Sequence, residues 1–318
     1  MVNEGNQHYI ERHPPSKTPS FKATILIYLL SSLLLVILGS LFQSLHLLSG
    51  LVISELAFVV APALFFTLHG RYHVARTFHL HPITSKTAII TIITTVAAFV
   101  LIGIFSVLQE IILPRSEDYQ QIWETILQQF HQIPLVLTLL LVSLLPGLCE
   151  ELLFRGFLLH GVRKKCSDTW AILVVGLLFG AFHLDPYRFF PVTLLGILFG
   201  YMVVRTGSLF TGMIAHGTNN AIAVLISYAV KSSQESGIPL TAPPSQDVIT
   251  LEALLTVIPV FIIALLGFLA GIRALPHNGL PSATDEAPAA DVREYSAHDD
   301  VNHATPPEHE GEAPQDDV

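Results

Sequence analysis

Eight apolar stretches, at about 23–45, 48–69, 87–113, 133–161, 169–184, 189–205, 208–230 and 249–274, leave this chain few folds to choose from. A helix of about 20 apolar residues crosses the hydrocarbon core of a bilayer and satisfies its own backbone hydrogen bonds there. Soluble domains carry about 25% charged residues; here the figure is 13%, with a mean hydropathy of +0.58. The expectation is an all-α, polytopic membrane protein with about eight transmembrane helices. The stretch 169–184 is short, and 133–161 is long enough to tilt or kink.

Charge divides the chain into three parts. After Ala274 there are eleven Asp or Glu and one basic residue, Arg293, so the net charge of −9 resides in the tail. Residues 275–318 are rich in Pro, Ala, Asp and Glu, which bury too little surface to offset the entropy of ordering. A disordered acidic tail is expected there, a polar cytoplasmic segment at 1–22, and the membrane domain at 23–274. No short apolar region with a small-residue cleavage site precedes the first span, which is expected to be a retained helix. Eight spans put both termini on one side together with thirteen of the sixteen Lys and Arg, leaving Arg115, Arg188 and Lys231 opposite. Under the positive-inside rule that shared side is the cytoplasm, which fits a bacterial plasma membrane. The partners expected are the lipid bilayer and a substrate, with no nucleic acid; oligomeric state is left open.

Glu150 and Glu151 interrupt the fourth stretch. Each ionised carboxylate near the bilayer centre costs roughly 2.5 to 3.5 kcal/mol, and adjacent like charges repel. Arg155 follows Glu151 by four residues, on the same helical face and in the favourable acid-before-base order. Glu151 and Arg155 are therefore expected to form a structural ion pair. Glu150 projects about 100° away and stays free for chemistry. Pro146-Gly147, just upstream, should kink the helix and open space beside it.

Two later helices carry matching polar groups. His183 lies one turn after Phe179, and His216 and Asn220 share a face four residues apart. Gly176, Gly180, Ala181, Gly212, Ala215 and Gly217 permit close helix approach, so Glu150, His183, His216 and Asn220 could share one pocket. Taken singly, each histidine and Asn220 serves equally well as interhelical glue. Glu55 and Glu110 fall near the outer ends of their spans and read as interfacial. His160 and the tail histidines His298, His303 and His309 read as solvated or interfacial. Cys149 and Cys166 have no CxxC partner, and Cys149 reads as a small buried hydrophobe.

In the order EExxxR, FxxxH and HxxxN, these residues resemble the CPBP intramembrane proteases. That group includes the type II CAAX prenyl endopeptidases and bacteriocin-processing or immunity relatives. The resemblance covers about residues 133 to 230. It implies an eight-helix enzyme hydrolysing peptide bonds of membrane-associated or lipidated substrates, with Glu150 as general base on a water, beside Glu151. His183 would hold or activate the water, and His216 and Asn220 would donate to the oxyanion. No cofactor is then required. An alternative chemistry takes Glu150, His183 and His216 as three zinc ligands with an open position, although the HExxH signature is absent. A different class of function is a non-catalytic scaffold or bacteriocin-immunity factor that keeps the fold and acts by binding. A transporter would show paired broken helices in two related halves; only one Pro-Gly break lies near these polar residues.

Overall fold

The computed structural model describes residues 18–236 and 251–280, and among them there is no β-strand. The expectations for the tail beyond Leu280 and for residues 1–17 fall outside the described residues. Nine helices of more than four residues emerge among the described residues once contiguous turns are joined. They are α1 Phe21–Leu45, α2 Leu47–His69, α3 Ser85–Ile112, α4 Glu117–His131, α5 Leu135–Arg163, α6 Asp168–Phe182, α7 Phe189–Thr206, α8 Leu209–Glu235 and α9 Leu251–Ala274.

Seven of these, all but α4 and α6, are long and apolar enough to cross a membrane. The expected eighth span, α6, has only 15 residues. At 1.5 Å per residue it rises about 22 Å, short of a core about 30 Å thick. The chain turns at 183–188 before α7 begins; non-helical backbone inside a bilayer survives only where protein or a polar cavity covers it.

Beside that turn lies α4, a helix outside the eight expected spans. Its pattern is plain in retrospect: Ser116 caps Tyr119 N, and Tyr119, Ile122, Trp123, Ile126, Leu127 and Phe130 recur at helical spacing. None of its residues is buried, as suits an amphipathic helix lying along the interface. The Tyr119 hydroxyl donates to Asp185 Oδ2 at 2.7 Å, and the Arg188 guanidinium lies 5.1 Å from the Trp123 ring centre. Burial and then the Asp185 carboxylate push the Tyr119 phenol up to about 12, so it remains a donor at every physiological pH. At the other end, Lys231 Nζ on α8 donates to the His131 carbonyl at 2.9 Å. The helix is thus fastened at both ends across the 183–188 turn.

The helices α6 and α7 form an antiparallel hairpin, α9 packs along α3, and α8 packs against α3, α5 and α7. Glycine lets α5 and α8 approach: a Cβ at Gly147 would stand 3.1 Å from Gly217 N, and one at Gly212 would stand 2.6 Å from Glu151 Oε2. The helix α5 is wound unevenly, with π-helical stretches at Leu139–Leu144 and Leu152–Leu158 flanking an α-helical block, Leu145–Glu151. Such wide turns occur often at functional sites.

One boundary needs correction. Residues 275–280, expected to begin the disordered tail, are docked. Leu275 is buried, Leu280 nearly so, and Gly279 N donates to the Arg205 carbonyl at 3.1 Å. Gly207, with φ of +73°, ends α7 in a conformation that favours glycine and lies against Gly279. A Cβ there would stand 2.5 Å from the Gly279 carbonyl oxygen.

Candidate active site

The proline at 146 has no N–H for the carbonyl four residues before it, Val142. Asn220 on α8 fills that place, donating from Nδ2 to the Val142 carbonyl at 3.1 Å. Its Oδ1 accepts from Asn219 Nδ2, also at 3.1 Å. The amide is thereby oriented, and the second hydrogen on Nδ2 is left over.

One turn below, the glutamates diverge. Glu151 and Arg155 are fully buried and paired, with Arg155 NH1 2.5 Å from Glu151 Oε1. Arg155 NH2 donates to the Gly196 carbonyl at 3.0 Å, and the guanidinium lies 4.2 Å from the Phe179 ring centre. Phe179 therefore meets Arg155 through a cation–π contact in a desolvated setting, where such contacts reach about 2 kcal/mol. Glu151 has a second partner that sequence reasoning missed: its Oε1 also lies 3.0 Å from His216 Nδ1. A neutral His216 donates from Nδ1 to this carboxylate, so its Nε2 points the other way, stacked by Phe199 at a 5.4 Å ring separation.

Glu150 stands on the far side of that imidazole. Its Oε2 lies 4.0 Å from His216 Nε2 and has no hydrogen-bond partner among the described residues. The gap is wider than a direct hydrogen bond and suits a bridging water. His183 closes the third side: its Nδ1 lies 2.9 Å from the Phe179 carbonyl, which directs Nε2 away from its own helix. Glu150, Arg188 and His216 are among its electrostatic neighbours. A separate cavity of about 270 Å³ between α3 and α7 is lined in part by Ser106, Gln109, Arg115, Arg188 and Asn219, and by neither glutamate nor either histidine of the cluster.

The structure thus gathers Glu151, Arg155 and His216 in direct contact, with Glu150 4.0 Å from His216, His183 beside them and Asn220 one turn away. Among the described residues no group of three or more His, Cys, Asp or Glu side chains has the geometry to hold a metal ion. The Glu150 and His216 donor atoms are 4.0 Å apart, wider than two ligands placed about 2 Å from one ion at a tetrahedral angle.

Two positions differ from expectation. Glu55 is not at a water-exposed end; it is 6% exposed, on a stretch of α2 that packs against the Leu145–Glu151 block of α5. The signal was the one that exposed Glu150, a carboxylate inside an apolar run, discounted because of its distance from mid-span. His160 is likewise buried, with its ring centre 5.3 Å from that of His79. Burial, and then the neighbouring His160, Arg163 and His81, hold the His79 imidazole well below its usual range. Glu110 does sit at a boundary, half-exposed and 3.0 Å from Arg115. Cys149 is buried with a free thiol.

Residues 132–222 match the family described as type II CAAX prenyl endopeptidase, Rce1-like. A curated relative, "Putative membrane peptidase YdiL" of Bacillus subtilis (strain 168), is 24% identical over 103 residues, which is 32% of this chain and 41% of that protein. The chain therefore spans less than half the length of the curated relative it matches. No solved structure matches it. The matched segment contains all three motifs and every residue of the cluster. On that segment the chain is similar to the type II CAAX prenyl endopeptidase family and to a putative membrane peptidase.

Proposed function

We propose that the chain is an intramembrane endopeptidase that hydrolyses peptide bonds of membrane-associated or lipidated substrates without a metal. The observation that carries this is the Glu150 carboxylate oxygen, unpartnered among the described residues and facing His216 Nε2 across the width of one water. Glu150 takes a proton from that water as its oxygen attacks the scissile carbonyl, forming a tetrahedral oxyanion. His183 helps hold the water. The remaining Asn220 N–H donates to the oxyanion, and so does His216 Nε2 when it carries a proton. Glu151 orients the imidazole from the Nδ1 side. Collapse of the intermediate breaks the C–N bond, and the proton held by Glu150 passes to the leaving amine. Positioned acid–base groups of this kind contribute about 10² to 10⁴-fold, and an oxyanion donor about 10² to 10³-fold. Both termini are cytoplasmic in this proposal, and the membrane is the bacterial plasma membrane.

The test is one detergent preparation assayed three ways on a fluorogenic lipidated peptide library: wild type, Glu150→Ala, and wild type after chelation, with metal analysis alongside. Cleavage lost in Glu150→Ala and retained at zero metal content is the expected result. Full activity in Glu150→Ala overturns the base assignment. Loss on chelation with restoration by zinc overturns the metal-free mechanism. A wild type that cleaves nothing yet still captures lipidated peptides favours the scaffold or immunity class instead.

A further inference from the structure

The cavity of about 270 Å³ between α3 and α7 takes no part in the chemistry above, yet two of its walls belong to elements that carry the site. One wall is Asn219 on α8, whose Nδ2 donates to Asn220 Oδ1 at 3.1 Å. The other is the end of the 183–188 turn, where Tyr187 and Arg188 line the cavity. Gln109 on α3 fastens that turn, donating from Nε2 to the Tyr187 carbonyl at 2.8 Å.

The polar groups left in the lining are amides. Gln109 Oε1 is buried with no hydrogen-bond partner among the described residues. Asn219 has one amide N–H left over after its bond to Asn220. The cations of the wall are engaged: Arg115 pairs with Glu110 at 3.0 Å, and Arg188 lies 5.1 Å from the Trp123 ring centre. An unused amide acceptor on α3 and an unused amide donor on α8 complement the N–H and C=O of a peptide backbone better than they complement an anion.

Gly103 is the second, independent sign. It lines the cavity from the interior of α3, and a Cβ there would meet nothing within 4 Å. Glycine in a helix interior is destabilising relative to alanine, and no neighbour here demands it. What it preserves is open space against a bare stretch of backbone, the arrangement that lets a ligand approach closely.

We propose that this cavity is a peptide subsite, taking a short segment of substrate backbone that flanks the scissile bond. Gln109 Oε1 accepts from a backbone N–H of that segment, and the spare Asn219 N–H donates to a backbone carbonyl. The proposal rests on reading the chain as an endopeptidase: Asn220 donates to the oxyanion in that reading, so residues flanking the scissile bond pass its neighbour Asn219. It extends recognition onto α3, which lies outside the matched segment 132–222.

The experiment measures kcat and KM for full-length wild type, Gly103→Ala, Gly103→Phe and Gln109→Leu. The substrates are the library peptide cleaved fastest and versions of it trimmed residue by residue from each end. Gly103→Phe fills the space, and Gly103→Ala controls for the loss of glycine while leaving the space open. Gly103→Phe is expected to raise KM about 10-fold on the full peptide, the scale of a lost pocket contact, with kcat little changed. Trimming that costs wild type the same factor should cost Gly103→Phe nothing further. N-methylation of the backbone in the trimmed segment should weaken wild type and leave Gln109→Leu unaffected. Wild-type KM on the full peptide in Gly103→Phe overturns the subsite and leaves the cavity to water or a lipid headgroup. An equal loss on full and trimmed peptides also overturns it, because the substitution then acts on the fold. Equilibrium binding of both peptides to Glu150→Gln, with and without Gly103→Phe, separates this proposal from the base assignment. Tighter binding of the full peptide that Gly103→Phe abolishes supports the subsite whichever group is the base, whereas a Glu150→Gln that cleaves like wild type overturns the base assignment alone.

Discussion

The two sides of α5 at residues 150 and 151 hold the same functional group in opposite circumstances. On the Glu151 side the carboxylate is enclosed: Arg155, His216 and the glycine floor at Gly212 surround it, and its charge is balanced within the bundle. On the Glu150 side an oxygen faces a gap, opposite a histidine nitrogen. Rotation by about 100° about one helix axis is enough to separate the roles. A closed ion pair supports the fold and orients His216, whereas an open carboxylate does little for stability and is suited to react.

The largest effect should come from breaking the closed side. Arg155→Leu leaves the Glu151 carboxylate buried with only the His216 imidazole as partner, a loss of about 3 to 5 kcal/mol. It should appear as a sharp fall in thermal unfolding temperature and in membrane expression. Arg155→Lys should not rescue it, because a single ammonium cannot bind Glu151, span to the Gly196 carbonyl and lie flat on Phe179 at once. A stable but inactive Arg155→Leu would transfer Arg155 from the structural to the reactive side.

On the open side, Asn220→Ala should slow kcat about 10²-fold through loss of an oxyanion donor, and should also leave the Val142 carbonyl unfilled. Gly147→Ala asks whether α5 and α8 can separate without cost. A Cβ there stands 3.1 Å from Gly217 N, so kcat should fall by roughly 10-fold as Glu150 moves relative to His216, a fraction of what a 1 Å misplacement costs. The smallest effect concerns the cover over both sides. Tyr119→Phe removes one hydrogen bond to Asp185, worth about 1 kcal/mol, and should raise amide exchange around 183–188 with kcat nearly unchanged.

Much of the fold was legible because its signals are local. Runs of about 20 apolar residues mark spans without knowledge of their neighbours, and the offset of four between Glu151 and Arg155 already implies a pair. What was not legible depends on which helix faces which. Nothing near Glu55 says that α2 turns it toward α5, and nothing in the offset from Glu151 to His216 says that their side chains meet. Asn220 was expected as an oxyanion donor, yet one of its two N–H groups answers a vacancy created by Pro146 on another helix. The helix α4 is a different case: its periodicity and its Ser116 cap are local signals, but an amphipathic helix falls outside a pattern of apolar spans. Residues 275–280 were assigned to the tail on composition, while Leu275 and Leu280 find apolar seats that composition does not reveal.

The contrast between the two glutamates is tested most directly by measuring kcat and thermal unfolding temperature for Glu150→Gln and Glu151→Gln in one metal-analysed preparation. The expected result is a split. Glu150→Gln loses at least about 10²-fold in kcat at an unchanged unfolding temperature, whereas Glu151→Gln unfolds at a clearly lower temperature. Wild-type turnover in Glu150→Gln, or equal loss of stability in both variants, would contradict the division of roles.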